Sequence, residues 1–428
     1  MKDPVLLTEA RYNHKKNHPI MKLRPRISQT ILSGDKPYKY STAVFFAFVL
    51  LTGYGFIVLL CYFNLAGFVE NRGLITIRGT PIGHDFLAFY SAGILARTSP
   101  SAVYSASVLH TVQLSILSAN VPVWPYLYPP SFLLMCIPLS LLPYVVSFLV
   151  WTGGTVCGYL LVLRHIAPHR LTPWLFLGFP GVVFNLAYGQ NGCLSSLLLG
   201  GGVLLLERNP FLAGSLLGLL TYKPQLAMLV PIALLTGRYG RALSGFIAGS
   251  AALVLVSIVF FGYNAWLSFF QNLAYTATVW QKVDLWAQMP TVYALCRVQG
   301  ASYQTAILLQ AMMTLAVISV LVWTWRRRAP LPLRASILVL CIPLSTHYTL
   351  TYDLAVLGIP FAYLGWYFFV RMQRNRLMLL MIAWASLFCL MSLRGSTAMS
   401  GILIVLCLLL LLATREIGRA GDAFKDIA

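Results

Sequence analysis

Apolar runs long enough to cross a lipid bilayer recur along almost the whole chain. Examples are 42–65, 242–262, 303–325, 352–370 and 376–393. An α-helix of about 20 apolar residues spans the hydrocarbon core. Hydrophobic residues make up 58% of the 428 residues and charged residues only 10%, which is too little charge to cover a soluble protein of this length. We predict an all-α polytopic integral membrane protein with about 12 (11–13) transmembrane helices.

The basic residues predict how the chain is oriented in the membrane. They concentrate in the first 40 residues and in short loops between apolar runs, at 238–241, 326–334 and 371–376. Positive loops stay on the cytoplasmic side and attract anionic lipids, so the net charge of +20 predicts contact with membrane lipids and no nucleic-acid partner. We predict a multi-pass protein of the cytoplasmic (inner) membrane with both termini in the cytoplasm.

Changes in polarity divide the chain into parts. Residues 1–40 are a basic cytoplasmic tail, because the first apolar run is too long and too late for a cleaved signal peptide. Residues 41–414 form the transmembrane domain and 415–428 a second cytoplasmic tail. Within the domain, 66–128 is a first outer loop, whose amphipathic spacing over 86–97 and 101–118 predicts short interfacial helices. A second outer loop covers 263–300 and is rich in aromatic and amide side chains.

The span count between 131 and 206 stays open. Proline and glycine interrupt the apolar segments of 131–262, which predicts bent or half-length helices around an internal cavity. The basic loop 164–170 is typical of the cytoplasmic side, which would make 131–163 one long bent helix. A hairpin at Leu142–Pro143 would instead place that loop outside.

Several kinds of chemistry have no motif in this sequence. The eight cysteines are scattered, mostly inside apolar runs, with no CxxC and no Cys/His cluster, so we predict small buried side chains and no metal site. There is also no nucleotide-binding loop and no HExxH motif. An enzyme of this kind would therefore need a substrate that is already activated.

Lysine is scarce within the membrane domain. Between 41 and 413 the only lysines are Lys223 and Lys282. Lys223 lies at a proline-marked break between two apolar segments, where a lone ammonium group could hold a phosphate. The alternatives are a lysine that reaches the headgroup region, or an ion pair with Asp85 or Asp353.

Three further polar positions are candidates for a site on the outer side. Asp85 could act as a general base for a hydroxyl group, or it could cap the helix that follows it. The segment 346–353 (THYTLTYD) is expected to be exposed on the outer side between two spans, and it holds His347, Tyr348, Tyr352 and Asp353. That cluster could serve a site, or combine a helix cap with interfacial aromatic residues. The tripeptide 189–191 (GQN) could bind sugar hydroxyls or form a plain turn.

The order of these pieces resembles glycosyltransferase family 87, the polyprenyl-phosphate-mannose-dependent mannosyltransferases of the GT-C membrane fold. The resemblance rests on D-x4-Y-x-A-G, Y-P-P-x-F, P-L-x-L-L-P-Y, GQN, A-G-x-L-L-G-L, K-P-Q and H-Y-x3-Y-D, which begin at Asp85, Tyr128, Pro138, Gly189, Ala213, Lys223 and His347. Each piece is short, but the ordered set covers about 270 residues, from Asp85 to Asp353. No motif of the family falls in 263–300, which is the segment expected to select the acceptor.

This resemblance implies a GT-C-type catalytic domain over 41–414, with its active site on the outer face. It implies that a hexose, with mannose favoured, moves from a polyprenyl-phosphate sugar to a hydroxyl of a glycan or glycolipid of the cell envelope, with inversion. Asp85 would be the catalytic base, and Lys223 and His347 would bind the donor phosphate. The residues expected to bind the donor or acceptor sugar are His84, Tyr90, Tyr128, Gln190, Asn191, Tyr352 and Asp353. No cofactor and no metal is implied.

Two alternatives fit some of the same features. Broken helices with a lone lysine would also suit a transporter or flippase for a lipid-linked or anionic solute. An O-antigen polymerase or ligase would use lipid-linked sugars too, although such an enzyme would be expected to carry a large outer loop rich in Arg and His. The sequence leaves the oligomeric state open.

Overall fold

The structure is a computed structural model that describes residues 44–70, 73–117, 119, 121–280, 283–327, 329–393 and 395–425. The basic tail 1–40 and Lys282 lie outside these residues. Residues 48–428 form one compact unit; of the other unit, 1–47, only 44–47 are described, and they are helical. The described residues are helical throughout, apart from turns, extended loops and an isolated antiparallel bridge between Ile75 and Pro81.

The helices follow one another with short connections. In chain order they are α1 (Gly55–Val69), α2 (Phe86–Ala96), α3 (Ala106–Leu117), α4 (Leu133–Ser140), α5 (Tyr144–Ile166), α6 (Thr172–Leu177), α7 (Pro180–Tyr188), α8 (Gly192–Leu205), α9 (Pro210–Leu219), α10 (Pro224–Ala227), α11 (Val230–Thr236), α12 (Gly240–Gln271), α13 (Leu273–Trp280), α14 (Val283–Trp286), α15 (Val292–Val298), α16 (Tyr303–Trp325), α17 (Leu331–Ser345), α18 (Gly358–Val370), α19 (Arg374–Ser392) and α20 (Ser396–Lys425). A π-turn (Leu50–Tyr54) precedes α1, and 3-10 turns cover Pro100–Tyr104, Pro130–Phe132, Leu220–Tyr222 and Thr351–Leu357.

Seven helices within the described residues are long and apolar enough to cross a membrane. They are Val44–Gly67, Tyr144–Ile166, Gly240–Tyr275, Tyr303–Trp325, Thr351–Val370, Arg374–Ser392 and Ser396–Arg419. The shorter apolar helices are Phe86–Ala96, Ala106–Leu117, Pro130–Ser140, Gly192–Leu205, Pro210–Tyr222, Pro224–Thr236 and Leu331–Ser345. The all-α polytopic class is confirmed. A count of about twelve spans is reached only if some of these shorter helices complete a crossing.

The chain reverses direction between α4 and α5. Phe132, just before α4, and Trp151, two turns into α5, come together with their ring centroids 6.1 Å apart. The helices therefore form a hairpin at 141–143, where Pro143 is extended (ψ 143°). Of the two alternatives for 131–163, the hairpin at Leu142–Pro143 is what the structure shows, and the long bent helix is not. Helix α4 has only eight residues, too few to span a bilayer by itself, and the loop 164–170 follows the end of α5. The side of the membrane on which this loop lies stays a prediction.

Two segments predicted as loops or tails contain helices. The span 242–262 ends as expected at Gly262, where α12 is kinked (φ 75°), but helix continues beyond it. The second outer loop is built largely from that continuation together with α13, α14 and α15. At the C-terminus, α20 continues to Lys425, and Glu416 in it is buried and paired with Arg376.

The helices of the first outer loop differ in how much protein covers them. Ten of the eleven residues of α2 are buried, whereas amphipathic spacing predicts burial on one face. The reason is that α2 packs into the core beneath α4 and α5, with Gly93 against the backbone of Cys136. In α3 the buried residues are Leu109, Gln113 and Leu117, a single stripe four residues apart. The position of either helix relative to the membrane interface stays a prediction.

Candidate active site

Asp85 lies immediately before α2, and its carboxylate points to the GQN turn. Its backbone N–H donates to the carbonyl oxygen of Tyr188 at 3.1 Å. Its Oδ2 accepts a hydrogen bond from Nε2 of Gln190 at 2.8 Å. The side chain makes no capping hydrogen bond to α2, so the capping alternative is not what the structure shows.

The GQN turn owes its shape to Gly189. This residue ends α7 in the left-handed region (φ 59°), which glycine adopts without strain. A Cβ atom here would also collide with the carbonyl oxygen of Gly83 and with Phe86. The indole N–H of Trp151 donates to the carbonyl oxygen of Gly189 at 3.0 Å and holds the turn from the other side. The turn is therefore seated directly against the segment that carries Asp85.

Gln190 connects Asp85 to the rest of the site. Its Oε1 accepts hydrogen bonds from the hydroxyl group of Tyr128 and from the backbone N–H of Asn191, each at 3.1 Å. These two donors fix which end of the amide is the oxygen. The amide nitrogen is thereby directed at Asp85.

Lys223 lies in the extended residue between the 3-10 turn Leu220–Tyr222 and α10. Its side chain is only 2% exposed, and its ammonium group donates to Oδ1 of Asn191 at 2.7 Å and forms an ion pair with Asp353. The expectation of a lone ammonium group is therefore wrong, and the alternative of a pair with Asp353 is what the structure shows. A buried charge needs such a partner because desolvation is costly.

Aromatic rings and a backbone contact complete the surroundings of Lys223. Its nitrogen lies 5.8 Å from the ring centroid of Tyr128 and 5.5 Å from that of Tyr352, within the range of cation–π attraction. Gly192, the first residue of α8, packs against the carbonyl oxygen of Tyr352, where a Cβ atom would not fit. Asp353 also accepts a hydrogen bond from the backbone N–H of Leu350 at 3.2 Å.

The segment 346–353 is mostly inside the protein. Thr346, Thr349, Tyr352 and Asp353 are buried, and His347 is exposed. The expectation that 346–353 is exposed is therefore wrong. The carboxylate of Asp353 points into the protein, where it pairs with the ammonium group of Lys223. The ring of His347 packs 5.9 Å from that of Tyr293 in α15. Its contact with a donor phosphate stays a prediction.

Two other candidates lie on either side of Asp85 in sequence. Tyr90 is buried in α2 and donates its hydroxyl hydrogen to the carbonyl oxygen of Leu142 at 2.8 Å. Its contact with a sugar stays a prediction. His84 has a left-handed backbone (φ 46°), which is strained for a residue other than glycine, and its ring lies 5.4 Å from that of Tyr188.

A groove of about 410 Å³ lies beside His84. Its walls come from α1, α7, the end of α19 and the loop 73–84, and most of them are apolar. Arg78 is the basic residue of this lining, and its guanidinium group stacks 3.8 Å above the ring of Phe63. Sequence reasoning missed Arg78, because one arginine in a polar loop is no signal by itself. The lining residues are Phe56, Leu59, Leu60, Phe63, Arg78, Thr80, His84, Phe184, Ala187, Tyr188, Gln288, Thr351, Met391, Ser392 and Leu393.

The surroundings of Asp85 change its acidity. The side chain retains partial exposure, yet the protein around it disfavours the charged form and raises its pKa to about 6, from the usual value near 4. Hydrogen bonds from Gln190 and Trp124 and the charge of Lys223 oppose this shift, but desolvation is the larger effect. At neutral pH the carboxylate is mostly ionised and more basic than an ordinary aspartate.

These contacts form one continuous polar chain through the core. It runs from Asp85 through Gln190 and Asn191 to Lys223 and Asp353. The chain includes two direct contacts between residues far apart in sequence: Asp85 with Gln190, 105 positions apart, and Lys223 with Asp353, 130 positions apart. Such a chain can hold a base and a cation at fixed positions beside a hydrophobic groove.

Comparison with known proteins identifies the family. The model of glycosyltransferase family 87 matches residues 126–346, just over half of the chain. The matched stretch includes Tyr128, the GQN turn and Lys223, while Asp85 and Asp353 lie outside it. No curated protein and no solved structure gives a significant match. The chain belongs to glycosyltransferase family 87 and is a membrane glycosyltransferase.

Proposed function

We propose that this enzyme transfers a hexose, with mannose favoured, from a polyprenyl-phosphate sugar to a hydroxyl group of a glycan or glycolipid on the outer face of the cytoplasmic membrane. The observation that carries this proposal is the polar chain from Asp85 to Lys223, next to the apolar groove that includes Arg78. Membership in family 87 favours this reaction over a transporter or flippase, and over an O-antigen polymerase or ligase.

Asp85 is the general base of the proposed reaction. Its carboxylate removes the proton of the acceptor hydroxyl, and the acceptor oxygen bonds to C1 of the sugar from the face opposite the phosphate. The bond from C1 to the phosphate oxygen breaks, and its electron pair leaves with polyprenyl phosphate, so the configuration at C1 inverts. A pKa of about 6 suits this role, because a base works best when its pKa lies near the working pH.

Lys223 stabilises the departing phosphate. An ammonium group has three N–H donors, and Asn191 and Asp353 take two of them. We propose that the third contacts a phosphate oxygen, on which negative charge grows as the bond breaks. Asp353 and Asn191 are positioning residues for this ammonium group, and His347 is a second proposed phosphate contact. The leaving group is a lipid phosphate that these side chains can bind, so the proposal needs neither a metal nor another cofactor.

The apolar groove receives the first part of the polyprenyl chain. Phe56, Leu59 and Leu60 of α1 form one wall, and Met391 and Leu393 form another. Each methylene group that leaves water for such a site contributes about 0.8 kcal/mol. Tyr128, Gln190, Tyr352 and His84 surround the place proposed for the sugar.

The test uses membranes that contain the full-length protein, a labelled polyprenyl-phosphate hexose and a panel of acceptors. Asp85→Asn should lower the transfer rate by about 10²-fold or more, because general-base catalysis is lost. Glu70→Gln is the matched control, since Glu70 is an exposed acidic residue in the same outer loop. Transfer by Asp85→Asn at the parent rate would show that another group is the base. Failure of the parent protein to consume the donor with any acceptor would refute the donor class.

A further inference from the structure

A second cavity, of about 970 Å³, is lined by arginines. It is formed by the end of α11, the turn into α12, the end of α16 and the start of α17. Four of its ten lining residues are arginines, Arg238, Arg326, Arg327 and Arg334, and none of the ten is an aspartate or a glutamate. Its other lining residues are Leu235, Thr236, Gly237, Tyr239, Trp325 and Ala329.

Arg334 is the buried arginine of this cavity. The residue is 8% exposed, and its Nε has no hydrogen-bond partner in the described part of the chain. Its terminal nitrogen donates to the hydroxyl group of Tyr239 at 3.0 Å and lies 3.6 Å from the carboxylate of Glu207, which is itself 54% exposed. Glu207 is therefore the carboxylate that partly balances the charge of the four arginines, and its contact with Arg334 is long.

The cavity lies far from the candidate active site. Helix α16 begins at Tyr303, beside the cluster that includes Tyr293 and Tyr352, and ends at Trp325 about 33 Å away by its helical rise. Helix α17 begins next to Arg334 and ends just before the segment that carries Asp353. The arginine cavity and Lys223 are therefore at opposite ends of the same two helices.

The rim of the cavity has the composition of a membrane interface. Leu235 is 67% exposed, and Trp323, two residues before the lining residue Trp325, is 42% exposed. The guanidinium group of Arg327 stacks 4.1 Å from the ring of Trp323. Tryptophan and tyrosine sit at headgroup level in membrane proteins, and basic pockets between helices bind anionic headgroups there.

We propose that this cavity binds the headgroup phosphate of an anionic phospholipid. The arginines take the phosphate oxygens, because a guanidinium group presents paired N–H donors that match a phosphate. The acyl chains lie along the exposed apolar side of α16 and Leu235. This site is separate from the proposed donor site and does not depend on the donor or on transfer.

The test measures lipid binding by the purified full-length protein in a neutral detergent. Native mass spectrometry and thermal unfolding follow titration with dioleoylphosphatidylglycerol, dioleoylphosphatidylcholine or inorganic phosphate. We expect one phosphatidylglycerol per chain, retained over phosphatidylcholine and accompanied by a rise in Tm. The double variant Arg238→Gln/Arg326→Gln should weaken this binding by about 30-fold, the attraction expected of two arginines.

The matched control removes the same charge outside the cavity. Arg170→Gln/Arg241→Gln replaces an exposed arginine of the turn before α6 and an exposed arginine of the first turn of α12, and it should bind phosphatidylglycerol like the parent. Equal weakening in both double variants would overturn the proposal, because it would reduce the effect to general surface attraction. Saturation by inorganic phosphate at the same concentration as by lipid would also overturn it, in favour of a free anion. Both variants should keep the parent Tm without lipid, since neither removes Arg334.

Discussion

At the scale of single residues, Asp85 shows how surroundings set chemistry. An aspartate in water is a weak base, and its raised pKa of about 6 comes from partial removal from water while Gln190 holds one oxygen in place. The same desolvation has an energetic cost for the fold. Activity and stability should therefore respond to pH in opposite directions through this residue.

The first prediction concerns the rate. Below pH 6 the Asp85 carboxyl group is protonated and cannot accept the acceptor's proton, so kcat/KM should fall about tenfold per pH unit below an apparent pKa of about 6. Initial rates measured from pH 4.5 to 8.5, with the acceptor well below its KM, would show this fall in kcat/KM. A flat profile between pH 5 and 8 would contradict the assignment of Asp85 as the base.

The second prediction concerns stability at the same residue. A carboxyl group whose pKa is higher in the folded protein than in the unfolded chain binds its proton more tightly when folded. Its contribution to stability is therefore present below pH 4 and lost as pH rises through about 6. Asp85→Asn should keep or raise the Tm at pH 8 although it slows transfer, because the amide oxygen can still accept from Gln190. A lower Tm for Asp85→Asn at pH 8 would show a structural role instead.

The third prediction concerns the buried ion pair. Lys223→Met or Asp353→Leu alone should destabilise the protein by about 3–5 kcal/mol, because each leaves an unpaired buried charge. The double variant should recover much of that loss and still transfer no sugar. Chemical unfolding in detergent and transfer rates should be measured for the parent, the two single variants and the double variant, which together form a double-mutant cycle. Recovery of activity in the double variant would rule out a role for Lys223 at the phosphate.

Much of the residue-level site could be predicted from the sequence, because charges are rare in this chain. The scarcity of charge singles out Lys223 and Asp85, and the GQN tripeptide is conspicuous between two apolar runs. The pair of Lys223 with Asp353 is only one alternative among several in the sequence, since a contact across 130 residues leaves no local pattern. Arg78 could not be found at all, because its position in the groove depends on four separate segments.

At the scale of elements, close helix packing holds the site segments together. The start of α8 touches the backbone of Tyr352 through Gly192, and α7 meets the segment before Asp85 through Gly189. Direct backbone contact leaves these segments little freedom to shift independently. Hydrophobic spacing locates most of the long helices, whereas the hairpin at 141–143 is recognised only in the folded chain, where the rings of Phe132 and Trp151 lie together.

The fourth prediction tests this packing. Gly192→Ala should lower both the Tm and the transfer rate, because its methyl group would push away the carbonyl oxygen of Tyr352 next to Asp353. Gly201→Ala in the same helix is the matched control, since a Cβ there meets only ordinary contact with Val162. Alanine should stabilise that position by about 0.5–1 kcal/mol through helix propensity. Equal behaviour of the two variants would contradict the proposed contact.

At the scale of the whole molecule, charge is separated between two ends. The arginine cavity lies at one end of α16 and α17, and the Asp85 to Lys223 chain lies at the other. Composition and basic loops predict this separation, because positive loops gather on the cytoplasmic side. The number of spans is less predictable, since short helices such as α4 and α10 are apolar without crossing on their own.

The fifth prediction tests the orientation. In a variant whose exposed cysteines Cys61, Cys157 and Cys389 are replaced by alanine, Arg78→Cys should react with a membrane-impermeant maleimide added outside intact cells. Arg241→Cys, an equally exposed position at the opposite end, should react only after the membrane is opened. Labelling of Arg241→Cys in intact cells would reverse the proposed orientation.

The apolar groove also bears on how the proposed lipid donor would reach this enzyme. Leu59 and Leu393 line it and are 45% and 59% exposed, so the groove opens sideways between α1 and the end of α19. A lipid donor of the proposed kind that enters there would diffuse in the plane of the membrane and never have to leave it. Its rate of capture then follows the number of donor molecules per unit area, so adding inert lipid or detergent should slow transfer even at constant bulk concentration.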